Sequence, residues 1–487
     1  MTRAQWIIYD QCNTRYIEPS VTDIFFILFT GARIASPVGD LTFNIRSKIA
    51  EYAIAREFLW ECERSGYRTH WIEARSYREG IEKFAQESGI TDIISMRSSE
   101  EYLARKIDAY ILLWVSLEIF ANRQFLITHE EFREQFEKPP VMETFYRYMR
   151  RSRNILIEDD GKPVGGKWNF DSENRNFDKT HVPSWSWKPS DTRYIDEARQ
   201  YYDTPSLSFL LPVSRRDALS LLQYFLEYHY ADFGRLEDAM YQDDMRVHHS
   251  MLSTAINFGI LHPSEVIDAA IAWHAPLSSV EGFIRQILGW REYMRQFYLY
   301  YYDDIYSQNT LDHHTPLPEK WWNYGWTQND WDITTMNCID IVVKRVQKEN
   351  YSHHIERLMI IGNYTLLMGY DPLSVNRWFA EMYTDAFEWV VTPNVMAMSQ
   401  YSDGGRLATK PYISGGSYIE KMSNYCKNCQ YSVKDKTCPM THLYWDFVDR
   451  NQAIFSRWRT PYVLSTLAKI DIEKIRLAKE KFIHKTL

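Results

Sequence analysis

Cysteine is scarce in this chain, six among 487 residues, which excludes a small scaffold held by a disulfide framework. The start, "MTRAQWIIYDQ", lacks a basic segment leading into a long apolar one, and apolar residues nowhere run together far enough to span a bilayer. The expectation is a cytoplasmic protein with no membrane partner, in which clustered thiols stay reduced and serve as metal ligands or redox groups. No GxGxxG follows the first strand-like run, so the usual support for a dinucleotide site is missing. No repeat with a period of about 20 to 50 residues recurs, which excludes a solenoid. Positive charge is not in excess either. A net charge of −8 argues against sequence-blind coating of nucleic acid by the whole surface.

What is abundant is aromatic side chain. Phe, Trp and Tyr make up 15% of the chain against ordinary values of 45% hydrophobic and 25% charged, a surplus that points to large helical cores or a bound planar ligand. "FYRYMRRSRN" (145–154) and "WREYMRQFY" (290–298) interleave arginine with aromatics. That pairing suits phosphates and unstacked bases, and equally a solvated helix face.

The chain is too long for one ordinary core. Its opening alternates strand-like runs, "WIIYD" (6–10), "DIFFILF" (23–29), "YRTHWIE" (67–73) and "TDIIS" (91–95), with helical spacing such as "RSKIAEYAIAREFLWECERSG". This predicts a Rossmann-like α/β domain over residues 1–138 with a parallel sheet. Residues 139–195 gather Gly, Pro, Asn, Asp and Ser and read as a connector without regular structure, kept ordered by Trp168, Trp185 and Trp187. From 196 to 487 long helical patterns follow one another, which predicts a larger all-α domain.

Half of the cysteines crowd into "YCKNCQYSVKDKTCPM" (425–440): Cys426 and Cys429 form a CxxC, and Cys438 precedes Pro439. Cys12 and Cys62 read as small buried hydrophobes, so Cys338 is the natural fourth thiolate. Four soft donors suit zinc or an iron–sulfur cluster, and spacing leaves both open.

The segments "PVGGKWNFDSENR" (163–175), "VEGFIRQILGWREYMR" (280–295), "YSHHIERLMIIGN" (351–363), "SDGGRLATKPYISGGSYIEKMSNYCKNC" (402–429) and "CPMTHLYWDF" (438–447), in this order, resemble the cryptochrome/photolyase superfamily. The resemblance is to its branch of iron–sulfur bacterial cryptochromes and prokaryotic (6-4) photolyases, and it covers essentially the whole chain. It implies an α/β antenna domain, a helical domain holding FAD, and a [4Fe–4S] cluster on Cys338, Cys426, Cys429 and Cys438. The implied chemistry is light-driven electron donation from reduced FAD to a flipped-out pyrimidine dimer, with UV-damaged DNA as partner and a monomer as the working form.

By the same resemblance Ser250, Leu252 and Ser253 approach FAD, Gln286, Trp290, Arg291 and Glu292 lie between flavin and lesion, and Asp385, Asn394 and Asp403 complete the cofactor site. His354 matches the lesion-side histidine, with a pKa near neutrality expected. On a regular helix only one of His353 and His354 faces the site. Tyr412 and Tyr418 match aromatics of the lesion pocket. Trp378 matches an electron-transfer residue, followed by Trp331, with Trp326 as its rival. Phe379 and Val391 stand where relatives carry tyrosine and a polar side chain. Asp10, Gln11, Lys48, Ile49 and Ala50 are what persists of a site for a 6,7-dimethyl-8-ribityllumazine antenna, and Asp171 and Glu173 are candidates for a Mg²⁺ ion. The rival readings are a blue-light sensory cryptochrome without repair, and a helical DNA-binding protein with a structural zinc.

Overall fold

A computed structural model describes residues 2–30, 37–39, 41–322, 333–408, 410–457 and 461–486. Near the N-terminus β1 (Arg3–Ile7), β2 (Asp23–Phe29), β3 (Arg68–Ala74), β4 (Asp92–Met96) and β5 (Ser116–Phe120) form one sheet in the order β3-β2-β1-β4-β5. Every pairing is parallel, with Trp6 opposite Phe25 on one side and Ser95 on the other. Parallel strands covered on both faces read as continuous apolar runs, and six of the seven residues of β2 are buried. Helices α1 (Ile45–Arg64), α2 (Tyr77–Ser88) and α3 (Glu101–Asp108) supply the crossovers. Asn44 caps α1 by accepting from Ser47 N, and Ser76 caps α2 by accepting from Glu79 N.

The remainder is helical. The segment expected to be an irregular connector instead begins with a helix, Met142–Ser152. Its Arg150 is fully buried and donates to the carbonyls of Ile155 and Trp168, at 3.2 and 2.9 Å, and of Leu156. Three carbonyl-directed hydrogen bonds from one guanidinium tie down a stretch whose own backbone is irregular. Further along, Trp185 donates to Val247 O at 2.8 Å and stacks on His229 with ring centroids 4.2 Å apart.

The sheet domain is fastened to the helices by buried polar groups. Asn44 Nδ2 donates to Glu381 O at 2.9 Å, and Thr42 N to Glu381 Oε1 at 2.8 Å. Tyr298, on the helix Glu292–Ile305, donates to Glu388 Oε2 at 2.7 Å and accepts from Glu101 N at 2.9 Å. Among the described residues no helix is long and apolar enough to cross a membrane.

Three segments are wound as π-helix: Arg285–Arg291, Glu356–Gly362 and Pro393–Ser399. The second and third touch where Gly362 meets Ser399, at a spacing that leaves no room for a Cβ. Wide turns of this kind occur mostly at functional sites, because they shift which side chains face inward.

Candidate functional site

A cavity of about 310 Å³ opens among these helices. All three π segments contribute to its wall: Gln286, Trp290 and Arg291 from the first, Arg357 and Leu358 from the second, Asn394 and Ser399 from the third. His249, Ser250, Leu252 and Ser253 enter the wall from the turn before the short helix Ser253–Asn257, in which Met251 takes a left-handed φ of 60°. A side chain held there costs of order 1–3 kcal/mol and persists where the surroundings over-determine it.

One end of the cavity is polar. Arg357 donates to both oxygens of Asp385 at 3.0 Å each, and Ser253 Oγ donates to Asp385 Oδ2 at 2.6 Å. The guanidinium also lies over the ring of Tyr383 at 4.2 Å. Ile287, Leu358, Val391 and Met398 give the wall apolar surface. Buried polar atoms of wall residues, among them Arg291 Nε, His249 Nε2 and both ring nitrogens of His353, have no hydrogen-bond partner among the described residues. Burial keeps His249 well below the ordinary histidine pKa, with the neighbouring His353 adding to the effect, so its ring is neutral at pH 7. A largely apolar slot with a guanidinium, two hydroxyls and an unpartnered Arg291 Nε–H at its margin fits a planar heteroaromatic group carrying phosphates, and FAD is such a group.

His353 and His354 both line the cavity. The regular-helix argument fails because His353 precedes the first helical residue, and the wide π turn follows directly. The His354 ring is open to the cavity, whereas His353 is fully buried. The expected near-neutral pKa of His354 is also revised, because the enclosing wall and then Arg357 push it down.

Other expected residues stand off the wall. Glu292 is fully buried but turned toward the sheet domain, accepting from Leu126 N at 2.7 Å and from Arg291 Nη1 at 2.6 Å. Asp403 closes its own turn by accepting from Gly405 N and Leu407 N, both at 2.9 Å. Tyr412 and Tyr418 do not line the cavity, and burial raises the pKa of each phenol. Trp378 is fully buried behind Phe379, which does reach the wall. Trp378 Nε1 donates to Trp321 O at 2.9 Å, and the two indoles meet edge to face at 5.4 Å. Trp331 and Trp326 lie outside the described residues.

Trp321 and Trp389 were not singled out in the sequence. Trp389 lines the cavity, and Arg291 lies 5.0 Å over its ring. Nothing in the local pattern separates either from the chain's other tryptophans.

Cys338, Cys426, Cys429 and Cys438 line a second, small cavity of about 20 Å³ with Met336, Ile419 and Tyr431. Burial first, then the other three thiols, holds Cys338 well above the ordinary thiol pKa. A Cβ on Gly416 would stand 2.6 Å from Cys438 Sγ, so only glycine lets this helix start so close to the thiol. Among the described residues no three His, Cys, Asp or Glu side chains converge closely enough for a single metal ion. Four soft donors around one space are the donor set of a thiophilic metal site, zinc or iron–sulfur.

The antenna and magnesium candidates are otherwise engaged. Asp10 accepts from Ser99 N and Oγ at 2.8 and 2.6 Å, Gln11 donates to Met96 O at 2.7 Å, and Ile49 and Ala50 are packed in the core. These contacts account for four of the five residues without a pigment. Lys48 is exposed on α1, and residues 31–36 and 40, before α1, lie outside the described residues. Asp171 is paired with Arg285 at 2.7 Å and with Arg175 at 3.5 Å, and Glu173 with Lys167 at 3.6 Å. Both carboxylates therefore have a cationic neighbour.

A parallel α/β sheet docked on a helical body that encloses a cavity for a planar, phosphate-bearing ligand defines a protein of the photolyase/cryptochrome fold. Two solved structures share it: a cryptochrome of Synechocystis sp. PCC6803, with a TM-score of 0.59 and 9% identity over 99% of each chain, and a bacterial class III photolyase from Agrobacterium tumefaciens, with a TM-score of 0.52 and 15% identity over 82% of this chain and 80% of that one. The family described as "Deoxyribodipyrimidine photo-lyase-related protein" matches residues 45–202. The chain is also 37% identical over 426 residues to a (6-4) photolyase of Agrobacterium fabrum, covering 82% of each. It belongs to the deoxyribodipyrimidine photo-lyase-related protein family.

Proposed function

We propose that this protein is a light-dependent DNA lyase acting on UV-damaged DNA, with the (6-4) photoproduct as its lesion. The observation that carries the reading is the shared wall: His354 stands open in the same cavity that Ser253, Arg357 and Asp385 line. FAD, when bound, supplies the light-driven electron, and the residues of this chain do the rest. Arg357, oriented by Asp385 and Ser253, and the hydroxyl of Ser250 hold the anionic part of the cofactor. Trp290 and Gln286 stand where a flipped base would stack and bond, and extrusion costs least at a damaged base. His354, neutral at pH 7, offers one N–H donor and one acceptor nitrogen to the lesion.

A [4Fe–4S] cluster on Cys338, Cys426, Cys429 and Cys438 is the occupant we infer for the thiol site, with a structural or redox-tuning role. Val391 and Phe379 on the wall favour a second reading, a sensory cryptochrome that photoreduces without repairing. Illumination of the reduced protein with lesion-bearing oligonucleotide separates the two. Loss of the lesion in light and not in darkness supports repair, and photoreduction of bound FAD without lesion loss supports sensing.

A further inference from the structure

Tyr425 is held between the thiol site and the cavity wall. Its carbonyl accepts from Asn337 Nδ2 at 2.7 Å, so it ties the residue before Cys426 to the residue before Cys338. Its hydroxyl runs the other way and donates to Glu356 Oε1 at 2.5 Å. Glu356 opens the second π segment, is fully buried, and accepts Arg345 Nη1 on the same oxygen, while Oε2 has no partner. Arg345 is fastened in turn to the carbonyls of Tyr241 and Gln242 at 3.1 and 3.0 Å, so it cannot follow the carboxylate if that moves.

His353 Nε2 stands 3.7 Å from Glu356 Oε1. Neither ring nitrogen of His353 has a hydrogen bond, and the ring stacks on His249 with centroids 4.4 Å apart. A buried imidazole without hydrogen bonds is placed by packing and by the surrounding charges alone. The groups that face it are Glu356, Arg345, Asp244, His354 and Arg357, with His249 on its face. Of these, Glu356 and its ion-pair partner Arg345 are both hydrogen-bonded to Tyr425 of the cysteine-bearing turn.

We propose that Tyr425 and Glu356 are positioning residues that transmit the state of the four-cysteine site to His353 on the wall of the flavin cavity. With the turn in place, Tyr425 fixes which carboxylate oxygen meets Arg345 and His353. When the turn loosens, Glu356 keeps its pairing with Arg345 but loses the hydroxyl that fixes Oε1, so the carboxylate turns and the field it sets at the imidazole changes.

The test uses the full-length protein with its cofactors bound and its histidine rings labelled with ¹⁵N. The His353 resonances are identified by their disappearance in H353Q. Y425F removes one hydroxyl and no cysteine. The expected result is unchanged cofactor absorption with displaced His353 resonances, and stripping the metal from wild-type protein with a chelator moves the same resonances. In E356Q their titration midpoint falls, because Arg345 then opposes the protonated ring unbalanced. Should Y425F not accumulate as folded protein, E356Q and metal removal carry the test. His353 resonances that coincide with wild type in the variants and after metal removal overturn the proposal. It rests on the repair reading only for its consequence in catalysis, where Y425F lowers kcat several-fold without weakening lesion binding. The ring signals do not depend on turnover, so failure of repair and failure of the relay are distinguishable.

Discussion

Arg357 and Asp385 face each other across the polar end of the cavity through two hydrogen bonds of 3.0 Å. Paired buried charges contribute little in net terms, but deleting one partner leaves the other uncompensated, at a cost of about 3–5 kcal/mol. D385A is therefore expected to yield protein largely free of flavin, whereas S253A, which removes one of three donors to that carboxylate, keeps part of it. The flavin-to-protein absorbance ratio after gel filtration checks this. Equal flavin content in wild type and D385A contradicts the assignment.

The four thiols give a chemical prediction. Iron and acid-labile sulfide are expected in equal amounts, with zinc absent, and C426A is expected to lose both together with thermal stability. G416A is expected to do the same with every cysteine intact, because its new Cβ would stand 2.6 Å from Cys438 Sγ. Metal analysis and a melting curve on the same samples suffice. Zinc at one equivalent in wild type sinks the cluster reading.

His229 makes acid stability legible. Its ring is buried against Trp185, neither nitrogen has a partner, and burial followed by the charge of His248 lowers its pKa to about 4. The unfolded chain takes up the proton near pH 6.5, while the folded chain refuses it until about pH 4. Its contribution to stability is therefore fully present above pH 6.5 and is lost between there and pH 4. H229F keeps the stacking and removes the titration. Its denaturant midpoint is expected to fall less over that window than that of wild type, and an identical decline contradicts the account.

Photoreduction is expected to draw its electron from Trp321 through Trp378, past Phe379, to the flavin cavity, the two indoles meeting at 5.4 Å. W378F and W321F, with FAD retained, should each slow light-driven flavin reduction by an external donor. Unchanged rates in both would remove this route.

The sheet was legible from its strand runs because parallel strands buried on both faces have little choice of residue, as β2 shows. The four cysteines were legible because their side-chain chemistry is rare in this chain. The cavity was less so. A π turn has no sequence period of its own, so the wall positions of both His353 and His354 could not be read from helical spacing. Glu292 and Asp403 look like site carboxylates in sequence, yet the fold spends them on backbone donors. The helix Met142–Ser152 was hidden by the Gly- and Pro-rich stretch after it, and it is held by the buried Arg150, whose partners only the tertiary structure supplies.

The most direct measurement is the yield of restored pyrimidines from an oligonucleotide carrying one (6-4) photoproduct, illuminated with the reduced, flavin-loaded protein beside a dark control and H354A. The account predicts restoration in light alone, with H354A retaining FAD and lesion binding but slower by about 10²-fold or more, the usual contribution of a positioned proton-transfer group. Flavin-loaded wild-type protein that binds the oligonucleotide and restores nothing under light contradicts it.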